Sequence, residues 1–156
     1  MTWAAQRPDD VRAVVLLDGS GLAFHEAISE AASRAINEGS DDPDVAAVRT
    51  FLDDFEDPRT NAERVDLLAS YAAMDPLPHL GAVPVTAMHG TVTDFPAVMD
   101  PERLHAIWLA GQQAWAGTSE QGRVVEVPGA GHQIALERPD LVVQTILSLI
   151  PSAGAR

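Results

Sequence analysis

A histidine that follows two closely spaced glycines is the residue in this sequence best suited to catalysis. His132 ends the loop Gly129-Ala130-Gly131-His132, and glycines allow a backbone to turn tightly and present the next side chain. An imidazole held in this way is able to act as a general base near neutral pH when a carboxylate fixes its tautomer. Asp18 and Asp94 are carboxylates that could also take part in chemistry.

Three strand-like segments are expected to position these side chains. The runs Val11–Leu17, Val83–His89 and Arg123–Val127 are short and nearly continuously apolar, which is typical of strands buried on both faces. Asp18, Asp94 and His132 each follow one of these runs. Since ligands and catalytic groups collect at the carboxyl ends of parallel strands, we expect the three side chains at one edge of a sheet.

Helical patterns alternate with the strands and predict an α/β fold with a three-stranded parallel sheet and flanking helices. One helix is predicted over Pro101–Ala116, with Asp100 as its N-cap. Another is predicted over Pro139–Ile150, where an apolar stripe should pack on the sheet.

The long segment 22–80 has no strand signal and is expected to form three helices, broken near residues 39–43 and 57–58. It is too long for a simple crossover, so we interpret it as an inserted helical lid that shapes a pocket; the alternative is a purely structural helical layer. The α/β core is then predicted over residues 1–21 and 81–151, followed by a frayed tail at 152–156.

Composition and motifs exclude several classes of function. The net charge of −13 argues against nucleic acid as a partner, because such binding depends on Lys and Arg neutralising phosphates. No apolar run approaches the roughly 20 residues of a membrane span, and no secretory signal is recognisable, so we expect a cytoplasmic protein that does not bind membranes. No phosphate-binding glycine loop or metal-ligand spacing is present, and we expect no cofactor and no metal. The remaining histidines are expected to be solvated or core residues: His25, His79, His89 and His105.

Several segments together resemble the C-terminal half of an α/β-hydrolase. They are Val83-Pro84-Val85 through His89-Gly90, then Val127-Pro128-Gly129-Ala130-Gly131-His132, then Glu137-Arg138-Pro139-Asp140-Leu141-Val142. The run from Ala4 to Asp18 resembles the end of the helix after the family's nucleophile elbow and the sixth strand that follows it. The resemblance covers nearly the whole chain, although segment 22–80 is similar only in length and helicity.

The resemblance implies that His132 is the histidine of a catalytic triad and that its acid is Asp94, which we favour, or Asp18. It implies hydrolysis of an ester or related C–X bond in a small-molecule substrate. However, Gly-x-Ser-x-Gly occurs nowhere in the 156 residues. The nucleophile, serine or aspartate, is expected upstream of Met1, together with part of the oxyanion hole, so we expect this chain to be inactive alone.

The alternative hypothesis is a non-catalytic fragment or interaction module, or one half of a split hydrolase. Strand Val11–Leu17 would then be an apolar sheet edge, and such edges pair readily with other chains. This alternative predicts self-association through residues 11–17.

Overall fold

Three parallel strands form the sheet in the computed structural model, which describes residues 1–61, 64–92 and 98–150. The strands are β1 (Val14–Leu17), β2 (Val85–Gly90) and β3 (Gly122–Val127), arranged in the order β1-β2-β3. Val14 lies opposite Val85, and Val85 lies opposite Gly122, so the three strands begin at the same edge. This confirms the predicted α/β class with a three-stranded parallel sheet.

The sheet is covered most completely at its central strand. All six residues of β2 are buried. Val14 and Leu16 of β1 pack in one apolar cluster with Val83 and Val85, whereas Val15 and Leu17 pack in another with Met88. The alternation follows from the strand period of two. The expectation that every strand is buried on both faces was wrong for β3, whose Gly122, Arg123 and Glu126 are exposed.

Four helices accompany the strands in sequence. They are α1 (Thr2–Gln6), α5 (Pro101–Ala116), α6 (Ile134–Glu137) and α7 (Pro139–Ser148), and a short 3-10 turn spans Pro8–Asp10. The predicted bounds of α5 are confirmed, and the Asp100 Oδ1 accepts the Arg103 N–H at 3.0 Å, as an N-cap does.

The apolar stripe of α7 packs on the sheet only in part. Leu141 and Val142 contact the cluster that contains Met88. Val143 and Leu147 are 53% and 60% exposed. The prediction that this helix packs on the sheet is confirmed through Leu141 and Val142.

The intervening helices are α2 (Leu22–Asn37), α3 (Pro43–Glu56) and α4 (Leu67–Ala72). Their ends follow the predicted breaks: Gly39 takes a left-handed conformation with φ +80°, and the Asp42 carboxylate caps α3 by accepting the Asp44 N–H at 2.9 Å. Their core joins residues of α2 and α3 to Leu104. Its buried members are Ile28, Ala32, Val48, Leu52 and Leu104.

The chain divides into two compact units. One comprises Met1–Gly19, Leu77–Thr93 and Leu109–Arg156 and contains the sheet; the other comprises Ser20–Pro76 and Asp94–Trp108. The sequence analysis assigned residues 98–108 to the sheet core, whereas in the structure they belong to the helical unit. A lid function for residues 22–80 stays a prediction. In the described part of the chain, no helix is both long and apolar enough to cross a membrane.

Candidate functional site

Asp18 lies immediately after β1, where the strand leaves the sheet. Its N–H donates to the Met88 carbonyl at 2.7 Å, which continues the pairing of β1 with β2 by one residue. Its backbone then takes the left-handed conformation, with φ +52°. Aspartate is one of the few residue types other than glycine that occupy this region readily. The turn directs the carboxylate across the end of β2, and only 6% of the side chain is exposed.

Each carboxylate oxygen of Asp18 has its own donor. Oδ1 accepts the N–H of Gly90 at 3.0 Å, and Oδ2 lies 2.9 Å from Nδ1 of His132. The carboxylate therefore has one fixed oxygen and one oxygen directed at the imidazole.

Gly90 permits this arrangement because it has no side chain. A Cβ at this position would lie 2.4 Å from the carbonyl oxygen of Gly131 and 2.5 Å from that of Ala130. The end of β2 and the loop that ends at His132 are therefore in direct backbone contact. This contact brings the histidine to the strand end where Asp18 is held.

His132 presents its imidazole to solvent while Asp18 holds one edge of the ring. The side chain of His132 is 64% exposed, and Gly129 provides the loop's left-handed turn with φ +74°. In the tautomer that donates from Nδ1 to Asp18, Nε2 is the unprotonated nitrogen. The hydrogen bond to Asp18 raises the pKa of the His132 imidazole above its usual value of 6.5, and partial burial opposes this effect.

The structure thus joins two of the three predicted site residues, Asp18 and His132. Asp94, the acid that the sequence analysis favoured, lies outside the described residues. Sequence reasoning missed the part played by Gly90. Its position directly after an apolar strand was a signal, because glycine at a strand end often marks a close backbone approach.

Ser20, His25 and His89 each have a different polar partner. The Ser20 hydroxyl is hydrogen-bonded to the Tyr71 hydroxyl at 2.8 Å within the helical unit. His25 is buried there, with Nε2 3.0 Å from Glu56 Oε1. His89 is fully buried in β2, with Nε2 3.9 Å from Glu126 Oε1. Over residues 1–61, 64–92 and 98–150, no group of three or more His, Asp or Glu side chains is arranged to hold a metal ion.

Comparison with known proteins gives little further information. No protein-family model matches the chain, and none of the curated proteins matches it. The chain is similar in structure to NosK from Streptomyces actuosus, with a TM-score of 0.46 and 22% sequence identity over 95% of this chain. It spans 61% of the NosK chain. This likeness is too remote to assign a family.

Proposed function

We propose that Asp18 and His132 are the acid–base pair of a hydrolase that cleaves esters or related C–X bonds. The contact between His132 Nδ1 and Asp18 Oδ2 at 2.9 Å supports this proposal. A carboxylate that holds one imidazole nitrogen and fixes the tautomer of the ring is the arrangement that general-base catalysis requires. The pair lies at the carboxyl ends of parallel strands, where catalytic groups of open α/β sheets collect.

The proposed chemistry consists of two proton transfers at Nε2 of His132. Nε2 takes the proton of an attacking hydroxyl group, and Asp18 stabilises the imidazolium that forms. The imidazolium then gives this proton to the leaving group. In a route with a serine nucleophile, water attacks the acyl intermediate next, and His132 takes the proton from that water. Base catalysis requires neutral His132, so the rate should rise with pH through its raised pKa.

The resemblance to the C-terminal half of α/β-hydrolases also supports the proposal, and it brings a requirement. The 156 residues contain no Gly-x-Ser-x-Gly, so the nucleophile of this family has to come from other residues. We therefore propose that these 156 residues provide the acid and the base, and that they do not by themselves form a covalent intermediate. Loss of the nucleophile removes that route altogether.

A fluorophosphonate probe, which reacts covalently with activated serines, tests this division of roles. The 156-residue protein should stay unlabelled and should give no burst of chromophore with an activated aryl ester. If the reading frame upstream of Met1 encodes Gly-x-Ser-x-Gly, protein expressed from that frame should be labelled at that serine. His132→Ala and Asp18→Asn should both remove the labelling.

His79→Ala is the matched control, because His79 is an exposed histidine of the compact unit that contains Asp18 and His132. It should leave labelling unchanged. Labelling that persists in His132→Ala would refute the assignment of His132 as the base. Aryl-ester turnover by the 156 residues that is lost in His132→Ala would refute their inertness and support a catalytic His132.

A second candidate function is that of an interaction module, and the open edge of β1 favours it. Val14 and Asp18 donate their N–H groups to Pro84 and Met88 of the β2 segment. Alternate residues of a strand point the same way, so the backbone groups of Val15 and Leu17 point away from β2. No other strand among the described residues pairs with that edge. Such an edge is a template for another chain, and we propose self-association through it.

Light scattering after size-exclusion chromatography tests this second candidate. The protein should form dimers or larger species as its concentration rises. Val15→Pro should shift it toward monomer, because proline removes the outward N–H and is tolerated on edge strands. A single monomeric species over the whole concentration range would contradict self-association.

A further inference from the structure

Gly90 at the end of β2 and the two residues after it contact Asp18 and the loop before His132. Gly90 donates its N–H to Asp18 Oδ1 at 3.0 Å. The next residue, Thr91, accepts the Gly129 N–H on its Oγ1 at 2.9 Å. Val92 then donates its N–H to the Ala130 carbonyl at 3.0 Å. Three consecutive residues therefore hold the acid on one side and the loop before His132 on the other.

Glu137 completes this set of contacts from the other end of the loop. It is the last residue of α6, and its Oε2 accepts the Gly131 N–H at 2.8 Å. A Cβ on Gly131 would lie 3.4 Å from Glu137 Oε1, so the carboxylate lies directly against this glycine. Gly131 immediately precedes His132, so the Glu137 carboxylate holds the peptide group between Ala130 and Gly131, one residue before the proposed base.

We propose that Glu137 and Thr91 are positioning residues that hold His132 in register with Asp18. Glycines at 129 and 131 give this loop more backbone freedom than other residues would. Without external contacts, that freedom would allow the imidazole to leave Asp18. The N–H groups of Gly129 and Gly131 and the carbonyl of Ala130 are all engaged, which restricts the loop at three successive residues.

The charge of Glu137 gives it a larger expected effect than Thr91. A hydrogen bond to a charged acceptor is stronger than one to a neutral hydroxyl. Groups that orient a catalytic side chain must restrict it closely, because small displacements reduce catalysis strongly. This inference rests on the proposed function, since positioning has a purpose only if His132 acts as a base.

Nitrogen NMR of the His132 imidazole tests the proposal in the 156-residue protein and requires no catalytic activity. The nitrogen shifts report which ring nitrogen carries the proton, and His132→Gln identifies the signal among the five histidines. In the wild type, the neutral ring should carry its proton on Nδ1, because Nδ1 donates to Asp18. Glu137→Ala should shift the tautomer ratio toward Nε2–H by roughly two- to tenfold, the range expected for one net hydrogen bond.

The conservative variant separates positioning from charge. Glu137→Gln keeps a carbonyl acceptor for the Gly131 N–H and removes the negative charge, so it should retain most of the wild-type ratio. Glu120→Ala is the control for charge alone: Glu120 is exposed and precedes β3, at the opposite edge of the sheet. It should leave the ratio unchanged.

A wild-type ratio in Glu137→Ala would overturn the role of Glu137, and so would an equal shift in Glu137→Gln and Glu137→Ala. If Glu137→Ala does not fold, as judged by circular dichroism, the comparison of Thr91→Val with Thr91→Ser decides the proposal. Valine removes the acceptor for the Gly129 N–H and serine retains it, so only valine should shift the ratio. Equal ratios in the two Thr91 variants would then overturn the proposal.

Asp18→Asn distinguishes this inference from the proposed function. A shift of the tautomer ratio in Asp18→Asn but not in the Glu137 and Thr91 variants would refute the positioning roles of Glu137 and Thr91 and leave the proposed acid–base pair intact. An unchanged ratio in Asp18→Asn would show that the pair itself is absent, and both proposals would fail.

Discussion

Replacement of Gly90 by alanine should destabilise the protein because the new methyl group meets backbone on two sides. The Cβ would lie 2.4 Å from the Gly131 oxygen and 2.5 Å from the Ala130 oxygen. Real Cβ contacts are almost never below 3.0 Å, so the loop has to move by at least about 0.6 Å. Backbone carbonyls have no rotamers with which to avoid the contact. Overpacking and the weakened Gly90–Asp18 hydrogen bond together should cost about 2 to 4 kcal/mol.

Urea denaturation followed by circular dichroism measures this change in the free energy of unfolding. Gly111→Ala is the matched control: nothing lies within 4 Å of a Cβ at Gly111, which lies inside α5. Alanine is a better helix former, so this variant should gain about 0.5 to 1 kcal/mol. A Gly90→Ala protein within about 0.5 kcal/mol of the wild type, the range of neutral surface substitutions, would refute the close approach of β2 and the histidine loop.

Three further substitutions test individual contacts. Asp18→Asn should lower the pKa of His132 toward 6.5 in an NMR titration. Because that pKa is raised in the folded state, the stability that the pair contributes in the wild type is full below about pH 6.5 and is lost as the pH rises through the folded-state value. The urea midpoint of the wild type should therefore fall over this pH range more than that of Asp18→Asn. An equal pH dependence of the two midpoints would contradict this expectation. Arg59→Ala should raise the pKa of the Asp57 carboxyl from about 2 toward 3.8, since hydrogen bonds from Arg59 lower it, and an unchanged carboxyl titration by NMR would disprove their role. Asn61→Ala should cost about 2 kcal/mol in urea denaturation, because the buried Asn61 side chain donates to the carbonyls of Asp57 and Val65 and accepts the Val65 N–H.

Local signals in the sequence were sufficient for α5. Asp100 and Pro101 mark the beginning of α5, and both bounds of that helix were predicted correctly. The three strands of the described residues were predicted, but β1 begins at Val14 and not at Val11. The 3-10 turn at Pro8–Asp10 explains the difference, since Val11 closes that turn by donating its N–H to the Pro8 carbonyl. Apolar composition alone does not distinguish a strand residue from one that ends a preceding turn.

The candidate site was predictable in its residue types and less so in its pairing. The glycines at 129 and 131 indicated a presented histidine, and a position after β1 indicated Asp18. Whether an acid reaches His132 depends on its backbone conformation and on which donors orient its oxygens, and the spacing of residues along the chain does not contain that information. The contacts of Thr91 and Glu137 depend likewise on tertiary approach, because each joins segments that no periodic pattern connects.

The left-handed backbone conformation at Asp18 restricts which residue types can occupy this position, independently of the hydrogen bond to His132. With φ +52°, residue 18 favours glycine, asparagine and aspartate, whatever its side chain contacts. The pairing with His132 requires a carboxylate, which only aspartate combines with that conformation at low cost. A saturation library at this codon, sorted first for folded protein and then for the raised His132 pKa, should therefore retain Gly, Asn and Asp in the first sort and Asp alone in the second. Glutamate, which keeps the charge, should already be depleted in the first.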